Sequence, residues 1–343
     1  MALHSDPVEA MVDANFLLTF ILGAIITLIN TPMLIYVFTN PRLRKQKEVV
    51  IVCFVVVADL SNAVAVVCLS IYQIPVIESG RSTAMITNLG CARVVSGYVF
   101  ILAYQFMGAS TITVTLDRAI AVIRPFRYRS FTWSYAYLLV GGGVLYSFIG
   151  LGVCVYAWWT GPELKATIMC FTDSSYNPDI WHYMLYFRQF SIAISIVAYV
   201  PIAARVNYLR KKEFSLTAIN GVGSQSHKRL VRTTLLIGIT LLCEIIFIAL
   251  PDIILNFNVF GLAQYAAAWY VIIISKGLVN VFLYTFSHEE LKRVLLNIIP
   301  GRRKQPVNGR TSSVAPSVLV SPSPRAKHSL STLNSVGTTH TVI

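Results

Sequence analysis

Hydrophobic and polar positions fall into long blocks along this chain. Seven blocks are apolar over about 20 residues or more, and short polar segments separate them: about 15–38, 49–72, 92–116, 135–159, 181–205, 230–255 and 263–286. A helix of about 20 apolar residues is long enough to cross the hydrocarbon core of a bilayer. Because a helix satisfies its own backbone groups in lipid, the pattern predicts an all-α membrane protein, a seven-transmembrane helix bundle.

Basic residues give this bundle an expected orientation. The chain has 28 Lys and Arg against 15 Asp and Glu, and 23 of the 28 fall in segments on one side of the predicted spans. The positive-inside rule then predicts an N-terminus outside and a C-terminus inside the cell. Only 13% of the residues are charged, which is too few for a soluble surface. We therefore expect a multi-pass protein of the cell membrane that does not bind nucleic acid.

Four segments follow from these boundaries. We expect an extracellular N-terminus over 1–14, the bundle over 15–286, a short amphipathic helix over 287–299 and a disordered cytoplasmic tail over 300–343. The first segment has no Lys or Arg, so the first span resembles a signal-anchor more than a cleavable signal peptide. The tail contains four Pro and thirteen Ser or Thr after residue 300, a composition typical of disorder. The helix over 287–299 places three leucines on one face: Leu291, Leu295 and Leu296.

Two cysteines lie on the predicted outer face. Cys91 opens the third span and Cys170 lies in the loop before the fifth. Both face an oxidising compartment, so a Cys91–Cys170 disulfide is chemically permitted, and two free thiols are the alternative. The sequence offers no metal-spaced His/Cys cluster, no phosphate-binding loop and no nucleophile constellation. We therefore expect no enzyme activity and no cofactor.

Three ionisable residues fall near the middle of predicted spans. Asp59, Glu244 and Lys276 each lie roughly ten to fourteen residues from the cytosolic end of their span, which places them at a similar depth. Charges at this depth are costly, so they are candidates for function and for pairing with one another. The alternative is that Lys276 snorkels or faces an aqueous cavity.

A second group of polar and aromatic residues lies closer to the outer face, and we interpret it as a candidate ligand site. Its members are Arg93, Phe100, Tyr104, Gln105, Arg188, Asp252 and Tyr270. Helical spacing puts Phe100, Tyr104 and Gln105 on one face of the third span. Two Arg and one Asp suit an acidic or zwitterionic ligand, or they pair among themselves; both alternatives remain open.

The inner end of the third span carries a recognisable motif. The segment 116–130 reads LDRAIAVIRPFRYRS, which resembles the Asp-Arg-Tyr motif of rhodopsin-like G-protein-coupled receptors and, more closely, nematode serpentine chemoreceptors of the Srsx class. Asn30, Asp59 and Asn280 stand where that family has matching residues. The chain departs from the pattern in having Ala119 instead of Tyr, Val281 instead of Pro, and no Trp before Pro251.

The resemblance implies a chemosensory receptor that binds an extracellular small molecule or peptide and activates a heterotrimeric G protein. Asp117 and Arg118 would form an inner lock, and Tyr208, Asn280 and Tyr284 would support the active state. In the family, the residue matching Asp59 helps to hold a sodium ion, so we expect Lys276 to replace that ion. We expect a mid-membrane polar site made of Asn30, Asp59, Glu244 and Lys276. The further expectations are arrestin-like partners for the tail, contact with membrane lipids and a sensory cilium as one location.

Two rival classes remain for comparison. A membrane transporter or channel would also need many apolar spans, although no internal repeat is apparent. A retinal-binding opsin needs a lysine six residues before the Asn of the seventh span, where this chain has Ile274. Lys276 lies two residues further along, which rotates its side chain by about 200° away from that position.

Overall fold

Helices account for nearly all of the regular structure in the computed structural model, which describes residues 7–161, 163–170, 175–220 and 238–287. The helices are α1 (Pro7–Thr39), α2 (Lys47–Glu78), α3 (Asn88–Cys91), α4 (Val95–Ile123), α5 (Pro125–Ser130), α6 (Trp133–Thr160), α7 (Pro178–Asn220), α8 (Gly238–Phe257) and α9 (Ala266–Ser287). A two-stranded sheet joins β1 (Met85–Thr87) to β2 (Lys165–Thr167).

Six helices are long and apolar enough to cross a membrane: α1 from Phe16, α2, α4, α6, α7 up to Tyr208, and α8. The seventh predicted span corresponds to α9, whose apolar part, Ala268–Leu283, is shorter. Its start differs from the prediction because a tight helical turn, Val259–Tyr265, precedes α9. Phe260 and Gly261 have positive φ in that turn, so no continuous helix can pass through it.

Several helices extend beyond the predicted apolar blocks. α1 begins at Pro7 and therefore takes up half of the predicted N-terminal segment, while α7 continues to Asn220, past the expected end at 205. Polar residues such as Lys, Arg and Glu are good helix formers, so a helix can continue past an apolar block, and apolar length alone underestimates it. The predicted amphipathic helix after Ser287 and the tail over 300–343 lie outside the described residues.

α4 occupies the centre of the bundle, where it packs against α2, α6 and α7. α1 packs against α2 and α9. Large apolar side chains cover the outside of the bundle, as at Leu138 and Leu145 of α6 and Val197 of α7, which are exposed. Apolar surface of this extent is costly in water and is compatible with a multi-pass membrane protein.

A disulfide fixes the loop between α6 and α7. Cys91 and Cys170 are bonded, with 5.5 Å between their Cα atoms, so the predicted bridge is confirmed and the two-thiol alternative is wrong. The antiparallel pairing of β1 with β2 lies beside the bridge. From α2, the Tyr72 hydroxyl donates to Ile168 O at 3.0 Å and the Gln73 amide donates to Met169 O at 2.7 Å. The loop is thus tied to the bundle at one end of α4, which we call the disulfide end.

Candidate functional site

Three buried polar clusters lie along the bundle, and we name each by its basic residue. The Arg118 cluster lies near the end of α4 that is distant from the disulfide end. The Lys276 cluster lies among α2, α4, α8 and α9. The Arg188 cluster joins α4, α7 and α8. Within the described ranges these clusters contain all seven buried charged residues: Asp59, Asp117, Arg118, Arg188, Glu244, Asp252 and Lys276.

In the Arg118 cluster, Arg118 forms an ion pair with Asp117, and both side chains are almost fully buried. Arg118 Nη2 also donates to the Tyr128 hydroxyl at 3.3 Å. That hydroxyl donates to Asp117 Oδ2 at 3.4 Å. Burial raises the pKa of Tyr128 above its ordinary value, so the hydroxyl stays protonated and can donate. The arginine is therefore held inside the bundle.

The backbone at Arg124 explains why Tyr128 reaches this pair. A proline disfavours helical geometry in the preceding residue, and Arg124 ends α4 with φ −127° and ψ 63°. Pro125 then begins α5, where its fixed φ suits the first helical turn. This change of direction brings Tyr128, ten residues after Arg118, back against the end of α4.

Lys47 completes this cluster and was missed by the sequence analysis. Its Nζ donates to the backbone oxygen of Tyr128, lies 3.4 Å from the oxygen of Phe131 and lies 3.6 Å from the centroid of the Tyr128 ring. Lys47 is the first residue of α2, where the sequence indicated only a positive-inside residue. Its role depends on the packing of α5 against the start of α2, for which the sequence carries no local signal.

The Lys276 cluster brings the three mid-span charges together. Lys276 Nζ lies 3.4 Å from Asp59 Oδ1 and 3.4 Å from Glu244 Oε1. Asn280, one turn further along α9, donates to Asp59 Oδ2 at 2.8 Å. Thr111 of α4, which sequence reasoning missed, lies 3.0 Å from both Glu244 oxygens. The cluster thus connects four helices near the middle of the bundle.

Other residues expected in the inner and middle sites are less connected. The Asn30 side chain is buried, but its amide makes no hydrogen bond within the described part of the chain. Tyr208 is 56% exposed, and Arg205 lies over its ring with 5.5 Å between the guanidinium carbon and the centroid. The side chain of Tyr284 lies outside the described side chains.

In the Arg188 cluster, Arg188 and Asp252 form a two-point ion pair. Arg188 Nε lies 3.0 Å from Asp252 Oδ2, and Arg188 Nη2 contacts both carboxylate oxygens. The amide of Gln189 donates to the same carboxylate at 2.9 Å. On the other side, the guanidinium carbon lies 4.0 Å from the centroid of the Tyr104 ring, which contacts Trp181. Of the two alternatives left open by the sequence, the structure contains the pairing of Arg188 with Asp252.

The remaining candidate ligand residues separate. Gln105 is fully buried against Gly150 of α6, whereas Tyr104 faces α7, so the predicted common face with Tyr104 is wrong for Gln105. The reason is angular, because adjacent residues on a helix point about 100° apart. Phe100 packs in the apolar core, Tyr270 is half-buried and Arg93 is exposed.

Within the described ranges, no group of three or more His, Cys, Asp or Glu side chains could hold a metal ion. No protein-family model matches the chain, and a comparison with curated proteins gives no match. The fold and its clusters therefore define a class in structural terms: a predominantly helical bundle, compatible with a multi-pass membrane protein, with three buried charged clusters.

Proposed function

We propose that this protein is a rhodopsin-like G-protein-coupled receptor of the nematode chemosensory kind, with seven membrane spans. Arg118, held inside the bundle by Asp117 and Tyr128, is the observation that carries the proposal. A buried arginine at a helix end can bind another protein once its ion pair opens, because its five N–H donors then become available. In the proposed mechanism the helices move apart at the Arg118 end of the bundle, and the G protein then binds the Arg118 side chain.

The Arg188 cluster supports a ligand site at the disulfide end. Arg188 on α7 and Asp252 on α8 tie together two helices, and Tyr104 of α4 lies against the guanidinium. A ligand that competes for either charge would release α8 from α7. The proposed ligand is an extracellular small molecule or peptide that enters beside the disulfide-linked loop.

The backbone of α8 is irregular between two points at which polar contacts hold the helix, and this arrangement suits a bending movement. It is held at two points, at Glu244 by the Lys276 cluster and at Asp252 by Arg188. Between these points lie the wide helical turn Ile245–Ala249 and Pro251, both of which weaken the regular hydrogen-bond ladder. In the proposed mechanism the tie at Asp252 takes the place of the tryptophan that the resembling receptors have before Pro251 and this chain lacks.

The proposed receptor lies in the cell membrane, including that of a sensory cilium. Its Lys- and Arg-rich loops face the cytosol, where they meet anionic lipids and the G protein, and its Ser/Thr-rich tail meets arrestin-like proteins. The distribution of basic residues along the chain supports this orientation.

The test is a ligand screen on cells that express the full chain, with guanine-nucleotide exchange as the readout. We expect an active compound to stimulate exchange with the native protein and to lose this effect with Arg118→Ala. Arg124→Ala is the matched control, because Arg124 lies on the same face of the membrane but is exposed. Compound flux into sealed vesicles that is equal for native protein and Arg118→Ala, without exchange, would instead identify a transporter or channel.

A further inference from the structure

We propose that the Lys276 cluster is a proton-binding site and that Glu244 carries the proton. The inference concerns the chemistry of the cluster itself and does not depend on the receptor function.

The charge balance of the buried groups is the first argument. Asp59, Glu244 and Lys276 are each no more than 4% exposed, and two carboxylates face one ammonium group. The other four buried charged residues of the described ranges are already paired with one another: Asp117 with Arg118 and Asp252 with Arg188. One negative charge is thus in excess at the Lys276 cluster. An uncompensated charge is expensive in the interior, and a buried acid avoids this cost by keeping its proton.

Within the part of the chain that the structure describes, the groups that surround Glu244 supply no second positive charge. α9 contributes Lys276, α2 contributes Asp59, and α4 contributes the neutral hydroxyl of Thr111. The nearest titratable neighbour on α8 is Cys243, which is neutral when protonated and negative when ionised. A bound proton is therefore the positive charge that these residues require.

Hydrogen bonding indicates which carboxylate holds the proton. Asp59 accepts a hydrogen bond from the amide of Asn280 at 2.8 Å and also forms an ion pair with Lys276, as suits an ionised carboxylate. Apart from Lys276, Glu244 has Thr111 as its hydrogen-bond partner, with 3.0 Å between Thr111 Oγ1 and each oxygen. The two acids thus differ in the kind of their second partner: the Asn280 amide can only donate to Asp59, whereas the Thr111 hydroxyl beside Glu244 can donate or accept.

The single hydrogen of Thr111 strengthens this assignment. Thr111 Oγ1 lies 2.9 Å from Met107 O, four residues earlier on its own helix. Other helical hydroxyls of this protein donate to the corresponding carbonyl, Thr115 at 2.8 Å and Ser191 at 2.7 Å. When Thr111 does the same, the hydrogen shared with Glu244 comes from the carboxylic acid. A protonated Glu244 thus satisfies both the charge balance and the hydrogen bonds.

The position of Glu244 gives the proton a structural consequence. Glu244 immediately precedes the wide turn Ile245–Ala249 of α8. Loss of the proton leaves a net negative charge in the cluster, and an outward movement of this part of α8 would relieve it by bringing Glu244 to water. Proton occupancy and the position of α8 are therefore coupled, as linkage requires of any ligand that prefers one conformation.

Infrared spectroscopy of the purified full chain in lipid nanodiscs tests the assignment. We expect the C=O stretch of a protonated carboxylic acid at neutral pH, shifted on exchange into deuterated water. Glu244→Gln should remove this band, because Asp59 and Lys276 then balance each other. Glu244→Asp should move the band to another frequency, whereas Asp59→Glu, which keeps the negative charge, should leave it in place. Absence of the band from the native protein at neutral pH would overturn the proposal. So would a band that Asp59→Glu moves and Glu244→Asp leaves in place.

Thermal unfolding gives a second readout. The amide of Gln resembles a protonated Glu, so Glu244→Gln should melt close to the native protein. Asp59→Asn makes Glu244 the ionised partner of Lys276, without the hydrogen bond that Asn280 gives to the Asp59 carboxylate, and should melt lower by about 3 °C or more. The native melting temperature should fall as pH rises, because the folded state binds a proton that the unfolded chain releases. This dependence should be absent from Glu244→Gln. The reverse ranking of the two variants would place the proton on Asp59 and contradict the assignment.

Discussion

Arg188 of α7 and Asp252 of α8 form a buried two-point ion pair although 64 residues separate them in the chain. Both side chains are almost excluded from solvent, and Gln189 donates to the same carboxylate at 2.9 Å. Removing one member leaves the other charged and unpaired, which costs far more than removing both. The pair is therefore a sensitive point at which to test the packing of α7 against α8.

Replacing either partner alone should destabilise the protein strongly. We expect Arg188→Met or Asp252→Leu to lower the free energy of unfolding by about 3–5 kcal/mol, and the double variant to recover much of this loss. Thermal unfolding of the purified protein measures the effect. Arg205→Met is the matched control, because Arg205 is exposed on the same helix. Additive losses in the double variant would show that the two residues are not coupled.

Loss of the Tyr128 hydroxyl should loosen the Arg118 cluster. Tyr128→Phe keeps the ring beside Lys47 but removes the hydrogen bonds to Arg118 and Asp117. A hydrogen bond of about 1 kcal/mol corresponds to roughly a fivefold change in an equilibrium, so if the protein is the proposed receptor, its ligand-free stimulation of nucleotide exchange should rise by about that factor. Because burial raises the pKa of Tyr128, the native basal rate should show no tyrosine titration up to moderately alkaline pH. Tyr137→Phe is the control. An unchanged basal exchange rate in Tyr128→Phe would show that the hydroxyl does not help to hold the Asp117–Arg118 ion pair.

Lys47 should matter more than its neighbouring basic residues. Lys47→Met removes the donor to the backbone oxygens of Tyr128 and Phe131 and the cation beside the Tyr128 ring. Because Lys47 is half-buried, we expect a loss of about 1–2 kcal/mol in unfolding free energy and an increased basal exchange rate. Lys45→Met, an exposed residue two positions earlier, should leave both nearly unchanged. Equal effects of the two substitutions would indicate that only net charge matters.

The disulfide should contribute substantially to stability, because it closes a loop with a sequence separation of 79. Cys91→Ser/Cys170→Ser should lower the free energy of unfolding by about 2–5 kcal/mol. Alkylation without reduction followed by mass spectrometry should leave both cysteines of the native protein unmodified. Cys68→Ser is the control, since Cys68 is a free cysteine. Modification of Cys91 and Cys170 without reduction would contradict the bridge.

The candidate sites differ in how far the sequence predicts them. Asp117 and Arg118 are adjacent, so the sequence places them near one another. The contacts of both with Tyr128 depend on the turn at Pro125, and the contact of Tyr128 with Lys47 depends on the position of α2. Gln105 shows the reverse case, since its chain neighbour Tyr104 faces α7 while Gln105 itself packs against α6. Helical spacing gives the relative directions of side chains on one helix, but it does not say which neighbouring helix each side chain faces.

The sequence by itself determined the apolar segments, the similar depth of Asp59, Glu244 and Lys276, and the position of two cysteines that can bond. These properties follow from length, rise per residue and solvent preference, which act along a single helix. Only the tertiary structure decided that Lys276 lies 3.4 Å from both acids, that Thr111 joins them, and that Arg188 is neutralised by Asp252. Such pairings depend on the rotation and packing of helices about their axes, which are set by side chains distant in sequence.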